Sequence, residues 1–287
     1  MRDLLPTSAV LLLLVGALLA QDPLPASTQT VLATQAHLEA LTHSDLSRLV
    51  SEAESGDRKA EYLLALLYQE DRLVPRDLAA ARKWMLKSAE QGYVPAQAGM
   101  GGMLISGRND GVIPDYADAD RWLRMAATQG DGDAQLWLGV GYERGWFGVT
   151  DYCEALKWLR KAAEQGQPTA QFSLGQMYED GEGVPESDSL AASWYRKAAD
   201  HSPAYLGGVW EAEVQLSYMY RDGRLPEDNV QAYMWFAVVG GDDDMKRVAR
   251  HMTRGQILHA QRMVEDWIKQ HTLQRPVDAA SSPKPTP

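Results

Sequence analysis

The sequence predicts an all-α fold, a right-handed α-solenoid of about five helical-hairpin repeats with terminal capping helices. Three observations carry that expectation. First, a ten-residue phrase recurs: KWMLKSAEQG at Lys83–Gly92, RWLRMAATQG at Arg121–Gly130, KWLRKAAEQG at Lys157–Gly166 and SWYRKAADHS at Ser193–Ser202. Second, the tryptophans of these phrases, with a fifth at Trp235, follow one another at steps of 38, 36, 36 and 41 residues. Third, each is preceded by a landmark that starts on a small residue and usually ends on an aromatic one. The landmarks are AEYLLALLY from Ala60, AQAGMGGML from Ala96, AQLWLGVGY from Ala134, AQFSLGQMY from Ala170 and AEVQLSYMY from Ala212. They end 16, 18, 16, 16 and 15 residues before their tryptophans. Two elements at locked separation, repeated at about 36 residues, describe a stack of supersecondary units.

Residues 1–20 read as a signal peptide. Arg2 precedes an apolar core from Ala9 to Ala20, followed at once by Gln21 and Asp22. That core is shorter than the ~20 residues a bilayer span needs, and cleavage after Ala20 satisfies the small-residue rule. An uncleaved anchor is the alternative; after removal of the signal, no membrane span is expected. Residues 21–56 are assigned to an N-terminal segment whose stretch DLSRLVSEAESG resembles a lone second helix that caps the stack.

Residues 57–241 hold the five repeats. In the fourth, Ala170, Leu174, Met177 and Tyr178 fall on one helical face. A breaker cluster, Asp180-Gly181-Glu182-Gly183-Val184-Pro185, follows. The second helix is expected to carry Leu190, Ala191, Trp194 and Ala198 on one side. Paired alanines such as Ala126-Ala127 and Ala162-Ala163 suit close helix approach. Gly101, Gly139 and Gly175 cost about 1 kcal/mol each in a helix interior, tolerable if a backbone presses against them. Gly92, Gly130 and Gly166 suit the left-handed residue that closes a helix. Residues 242–273 are read as C-terminal capping helices, one of them opened by the capping box Thr253-Arg254-Gly255-Gln256. Its apolar stripe is Ile257, Ala260, Val264 and Trp267. Residues 274–287 cannot bury a core and are expected to be disordered.

At these residues the sequence resembles the Sel-1-like repeat family, relatives of the tetratricopeptide repeat. The fourth repeat carries Ala170, Leu174, Gly175, Tyr178, Gly181, Gly183, Val184, Ala191, Trp194, Lys197, Ala198 and Ala199 of the family pattern. The third is nearly as complete. The second replaces the aromatic with Leu104 and lengthens its turn; the fifth inserts residues around SPAYLGGVWEA. The resemblance implies adaptors that assemble complexes, often at membranes or envelopes. Some relatives are described as penicillin-binding or β-lactamase-like, but those carry paired cysteines in each repeat, and Cys153 is the only cysteine here.

The composition is that of a globular protein, 45% hydrophobic and 23% charged, with a formal net charge of −11. An acidic excess argues against nucleic acid, whose phosphates need a basic face. Export with a single cysteine leaves no intramolecular disulfide. No catalytic, cofactor or metal site is predicted. The histidines form no H-E-x-x-H pair, and one cysteine makes no zinc cluster. The glycines between Gly102 and Arg108 lack the Lys-Ser/Thr of a phosphate loop, and there is no G-x-S-x-G elbow. Asp131 and Asp133, like Asp242, Asp243 and Asp244, read as residues of helix starts. Cys153 is expected to be a half-buried, inert thiol.

The expected activity therefore lies on the surface. By analogy with the tetratricopeptide repeat, the first helix of each hairpin lines a concave wall. On that wall Trp137, Val140 and Arg144, Ser173 and Gln176, and Gln215 and Tyr218 are the candidate partner-binding positions. Trp137 either anchors a partner or packs on the adjacent hairpin. Trp146 and Phe147 form either an exposed apolar tip or a turn folded back on its own hairpin. The expected function is a noncatalytic scaffold of the cell envelope, periplasmic or secreted, monomeric, binding a protein or peptide without cofactor or nucleic acid. The alternatives are binding of an envelope glycan such as peptidoglycan and, further off, a cell-wall hydrolase.

Overall fold

The computed structural model describes residues 26–70, 73–106, 114–200, 210–225 and 228–272. The expectations for the signal peptide, the tail, the lengthened second turn and most of SPAYLGGVWEA fall outside them. Fourteen helices occupy the described residues, which contain no strand. In order they are α1 (Ala26–Ala40), α2 (His43–Glu54), α3 (Arg58–Gln69), α4 (Leu78–Glu90), α5 (Val94–Ser106), α6 (Tyr116–Thr128) and α7 (Gly132–Glu143). Then follow α8 (Tyr152–Glu164), α9 (Pro168–Asp180), α10 (Asp188–Asp200), α11 (Trp210–Arg221), α12 (Asn229–Val239), α13 (Asp242–Ala249) and α14 (Arg254–Thr272). The chain divides after Gln165 into two compact units. Helix α1, inside the segment before the first repeat, has no counterpart in the sequence reading.

The N-terminal unit holds three hairpins, α3/α4, α5/α6 and α7/α8, and α4 packs on α5 as α6 packs on α7. Helix α2 covers α3, with Leu49 and Ala53 buried against Leu63, Leu64 and Leu67. In the C-terminal unit α9 pairs with α10 and α11 with α12, α10 packs on α11, and α14 closes the unit against α12. Stacking of hairpins in chain order within each unit is the arrangement of an α-solenoid.

Local chemistry sets the boundaries. An aspartate opens most second helices: Asp77, Asp115, Asp151 and Asp228 accept hydrogen bonds from N–H groups of the first turn. In the fourth hairpin Ser187 takes that place. Gly92, Gly130 and Gly166 have φ of 76°, 96° and 84°, the left-handed closure expected of them. At the far end Thr253 and Gln256 form the reciprocal capping box, and Ala260 is buried.

The seam differs from the expected one in register. Trp122, Trp158 and Trp235 are buried, but Trp84 and Trp194 are half-buried. The residue after each tryptophan is buried in every hairpin: Met85, Leu123, Leu159, Tyr195 and Phe236. The helix glycines make room chiefly for these side chains, and at Gly139 also for a neighbouring backbone, the Leu159 N standing 3.1 Å from where a Cβ would be. A Cβ on Gly101, Gly139 or Gly175 would stand 2.4 Å from Leu123, Leu159 or Tyr195. Leu190, expected on one side with Ala191 and Ala198, is 46% exposed while those alanines and Tyr195 are buried. The half-buried indoles of Trp84 and Trp194 are covered by Lys87 and Lys197, 4.2 and 3.8 Å from the ring centroids.

A ladder of amides ties the N-terminal hairpins together. The closing glutamines Gln91, Gln129 and Gln165 donate to Glu61, Gln97 and Gln135 at 2.6, 2.8 and 2.7 Å. Gln97 and Gln135 in turn donate to the carbonyls of Ala89 and Ala127 in the preceding hairpin, at 3.3 and 3.1 Å. Every polar atom so buried finds a partner, avoiding a penalty of about 1–3 kcal/mol for each orphan.

Candidate functional site

The candidate wall divides into two sets, one in each unit. In the N-terminal unit, Trp137 projects from α7 and is 37% exposed. Its ring leans against Trp146 (centroids 6.3 Å apart), which stacks at 6.2 Å on Tyr116 of α6. Arg144 is exposed and lies 5.8 Å from the Trp146 ring, while Val140 is half-buried. Trp137 thus packs on the turn of its own hairpin rather than directly on the adjacent one, and stays partly exposed. One edge packs on aromatic neighbours and the rest faces solvent.

Trp146 and Phe147 are not an exposed tip. Both are half-buried, and Phe147 folds back onto its own hairpin, 5.0 Å from the Tyr142 ring and directly above Gly141. Gly141 permits that closure, since a Cβ there would meet the Phe147 ring at 2.1 Å. Cys153 also departs from expectation. It sits in the first turn of α8 and is exposed.

Trp137 borders a groove of about 560 Å³ that runs over the first helices of the three N-terminal hairpins. Tyr62 of α3, Gly99 and Gly102 of α5, and Asp131 and Asp133 at the start of α7 line it, and Thr34 of α1 closes one side. Gln129 and Gln165, the closing residues of the amide ladder, reach its edge. Asp131 is the N-cap of α7 and accepts from the Ala134 N–H at 2.8 Å. Burial lifts its carboxyl above the ordinary 3.8; the Ala134 N–H opposes the shift and the charge of Asp133 adds to it. Burial, then the negative charges of Tyr93, Asp131 and Asp133, push the Tyr62 phenol up to about 12.

In the C-terminal unit the same helix register gives a different surface. Tyr218 is 43% exposed, with the Arg221 guanidinium 4.4 Å from its centroid. Gln176 and Gln215 are half-buried. Ser173 is only 7% exposed and cannot meet a partner. Its short side chain ends below the level of its neighbours, where a tryptophan at the matching position of α7 emerges. A second cavity, of about 740 Å³, lies by the turn of the α11/α12 hairpin and is lined by Arg221, Arg224, Arg247 and His251 with Asp228 and Phe236.

The groove residues other than Trp137 went unforeseen as a set. In the sequence, Asp131 and Asp133 register only as helix-start residues, and Tyr62 only as part of a repeat landmark. Their convergence comes from stacking three hairpins. Among the described residues no three His, Cys, Asp or Glu side chains gather as a metal site. No described helix is long and apolar enough to cross a membrane.

Comparison with known proteins agrees with this geometry. The family model of the Sel1 repeat matches residues 58–93, 94–131, 132–167, 168–203 and 210–237. Each match spans one hairpin as seen in the structure. Among solved structures, the chain is similar to a Sel1 repeat protein from Oxalobacter formigenes, with 26% identity and a TM-score of 0.60 over 79% of this chain and 84% of that one. It is also similar to c5321, described as a protective antigen of uropathogenic Escherichia coli with an SLR fold, with 25% identity and a TM-score of 0.50. That likeness covers 85% of this chain and 61% of the other. No match is found among curated proteins. With five matched hairpins occupying more than half of its length, the chain belongs to the Sel1 repeat family, whose members are generally protein-interaction scaffolds.

Proposed function

We propose that this protein is a noncatalytic scaffold of the cell envelope that holds a peptide or protein segment in the groove of its N-terminal unit, with Trp137 as the anchor. The observation that carries the reading is the groove itself. It joins about 560 Å³ of open space to a tryptophan positioned by its aromatic neighbours yet 37% exposed. A large, rigid ring at the edge of a concave surface loses little entropy on binding and excludes much water. Val140 and Arg144 extend that wall along α7, and Gln176, Gln215 and Tyr218 offer a second set on the C-terminal unit. The envelope location rests on Arg2 and the apolar run from Ala9 to Ala20.

The test places a photo-crosslinking phenylalanine derivative at position 137 and, as control, at the exposed Val149. An adduct formed in envelope extract at position 137 alone, and removed by protease digestion of the captured material, supports the proposal. An adduct sensitive to lysozyme instead overturns it in favour of an envelope glycan. Equal labelling at both positions overturns the groove. N-terminal sequencing of the protein from the periplasmic fraction should begin at Gln21; recovery from the cytoplasm alone removes the envelope assignment.

A further inference from the structure

We propose that the N-terminal groove already has an occupant of its own, helix α1 (Ala26–Ala40), a strap that a partner segment displaces to reach the wall. This assignment rests on the preceding reading of the groove and adds the control of access to it.

Placement is the first support. Helix α1 precedes the stack and belongs to none of its hairpins. Its main chain nevertheless comes within 8 Å of α7 in the third hairpin, and it packs there more than on α2 or α3, its neighbours in sequence. Near its C-terminal end Leu38 is buried in one cluster with Leu49 of α2 and with Leu63 and Leu64 of α3. One helix thus meets both the first and the third hairpin, while α5 lies beside α7. Packed helices stand 8–10 Å apart, so the step from α3 past α5 to α7 is about 20 Å. Fifteen helical residues supply about 22 Å. Thr34 brings α1 to the rim of the cavity that Tyr62 and Trp137 also line.

The second support is how lightly α1 is held. Of its described side chains, residues 33–40, Leu38 alone is buried; Thr34 and Ala36 are half-buried and the rest exposed. A helix of this length is marginal by itself in water, so α1 depends on the wall beneath it. An element with so little buried apolar surface opens at lower cost than the stack it lies on. The joint is short and separately secured. Helix α1 ends at Ala40 and α2 starts at His43. At that start Asp45 accepts from the Thr42 N–H at 3.0 Å, closing the first turn of α2 without help from α1. Helix α1 can therefore leave while α2 still covers α3.

The third support is the floor that α1 overlies. Helix α5 turns Val94, Pro95, Ala98, Gly99 and Gly102 toward the groove, all short side chains. The distance between packed helices is set by the side chains at their contact, so such a floor admits a helix at close range. With α1 on its rim the space is about 560 Å³, the size of a small-molecule pocket. Lifting α1 removes that rim and turns the pocket into a trough along α5 and α7.

The experiment uses the full chain with the photo-crosslinking phenylalanine derivative at position 137. Irradiated alone and digested, it is expected to yield a peptide joining position 137 to residues 26–40, which the same derivative at Val149 does not. Gln35→Pro, at an exposed position, breaks α1 without entering the core and is expected to lose that cross-link. Ala33→Pro, also exposed, is the second variant and is expected to act alike. A capped, fluorescein-labelled copy of residues 26–40 then serves as the ligand. A tethered segment competes at millimolar effective concentration, so the copy should bind the Gln35→Pro chain about tenfold more tightly than the native chain, or better. Absence of the internal cross-link, or equal affinity of the copy for native and proline chains, overturns the inference. An envelope adduct at position 137 formed equally by native and proline chains also overturns it and leaves the groove reading intact. An internal cross-link with no envelope adduct from any chain overturns both, making α1 a fixed part of the wall.

Discussion

The two units place opposite charges in their cavities and treat them differently. In the C-terminal unit, the arginines around the second cavity are committed within the chain. Arg224 donates to both Glu179 and Asp188, Arg221 pairs with Asp222 at 2.8 Å, and Arg247 pairs with Asp244. Glu179 also accepts the hydroxyl proton of the fully buried Tyr195, so one arginine holds a carboxylate that holds a core phenol. In the N-terminal unit the comparable lock lies away from the groove: Tyr142 donates to Asp120 at 2.6 Å and Arg124 donates to both. The groove itself has carboxylates and no cation in its lining. Charges matched within the chain hold hairpins together.

The largest effect should come from breaking the C-terminal lock. Arg224→Met leaves Glu179 and Asp188 facing each other beside Tyr195, with hydrogen bonds lost to both. Partial exposure of the arginine keeps the cost near the bottom of the buried-pair range, about 3 kcal/mol. Urea unfolding followed by circular dichroism measures the loss, and a cost below about 1 kcal/mol would show that this arginine does not lock the unit.

Glycine substitutions sharpen the same contrast. Gly175→Ala drives a methyl to 2.4 Å from the Tyr195 ring and should destabilise by about 2 kcal/mol. Gly102→Ala meets no atom of the described residues and should stabilise by about 1 kcal/mol. A loss of stability in Gly102→Ala would mean that the glycine serves the chain's own packing.

The repeat period, the aspartate caps and the closing glycines were legible because each is a local requirement written into neighbouring residues. The register of the buried seam was not, although its signal was present. Met85, Leu123, Leu159, Tyr195 and Phe236 all follow the repeat tryptophan and are all large and apolar. The tryptophan drew attention because it is rarer, yet its size lets it lie half-exposed under a lysine. The groove was illegible for a different reason. Tyr62, Gly102, Asp131 and Trp137 come from three hairpins, and only the stacking of those hairpins makes them neighbours. Ser173 shows the converse, since equivalent position in the repeat does not guarantee equivalent exposure when the side chain is short.

The amide ladder contains one acid, and that supplies the next prediction. Glu61, 3% exposed, stands where the following hairpins have Gln97 and Gln135. Those glutamines donate to a carbonyl eight residues earlier, a bond that an ionised carboxylate cannot make. Burial first, and Asp57 last, raise the Glu61 carboxyl above its ordinary 4.5 against the opposing Gln91 bond and Lys87. A raised acid binds its proton more tightly when folded, so its stabilising contribution is present below the unfolded value and lost as pH rises through the folded one. Glu61→Gln removes that loss. The variant should gain about 1 kcal/mol at neutral pH, and the gain should shrink as pH falls toward 4. A pH-independent difference would place the cause elsewhere than in ionisation.

The smallest effects on stability should come from the two exposed rings, and there the units part in function. Trp137→Ala gives up a tilted contact with Trp146, and Tyr218→Ala gives up a solvent-exposed cation–π contact with Arg221. Each should cost about 0.5 kcal/mol, leaving helicity unchanged. Neither ring fills a core position, so a larger loss in either would make it structural and move the binding wall. Binding separates them. Trp137 borders a cavity of about 560 Å³, whereas Tyr218 lies beneath an arginine already engaged with Asp222. Trp137→Ala should therefore abolish capture of a peptide segment by the groove, and Tyr218→Ala should reduce it only if a long partner also reaches the C-terminal unit. Comparing a short peptide with a long natural segment against both variants measures how far along the chain the partner extends.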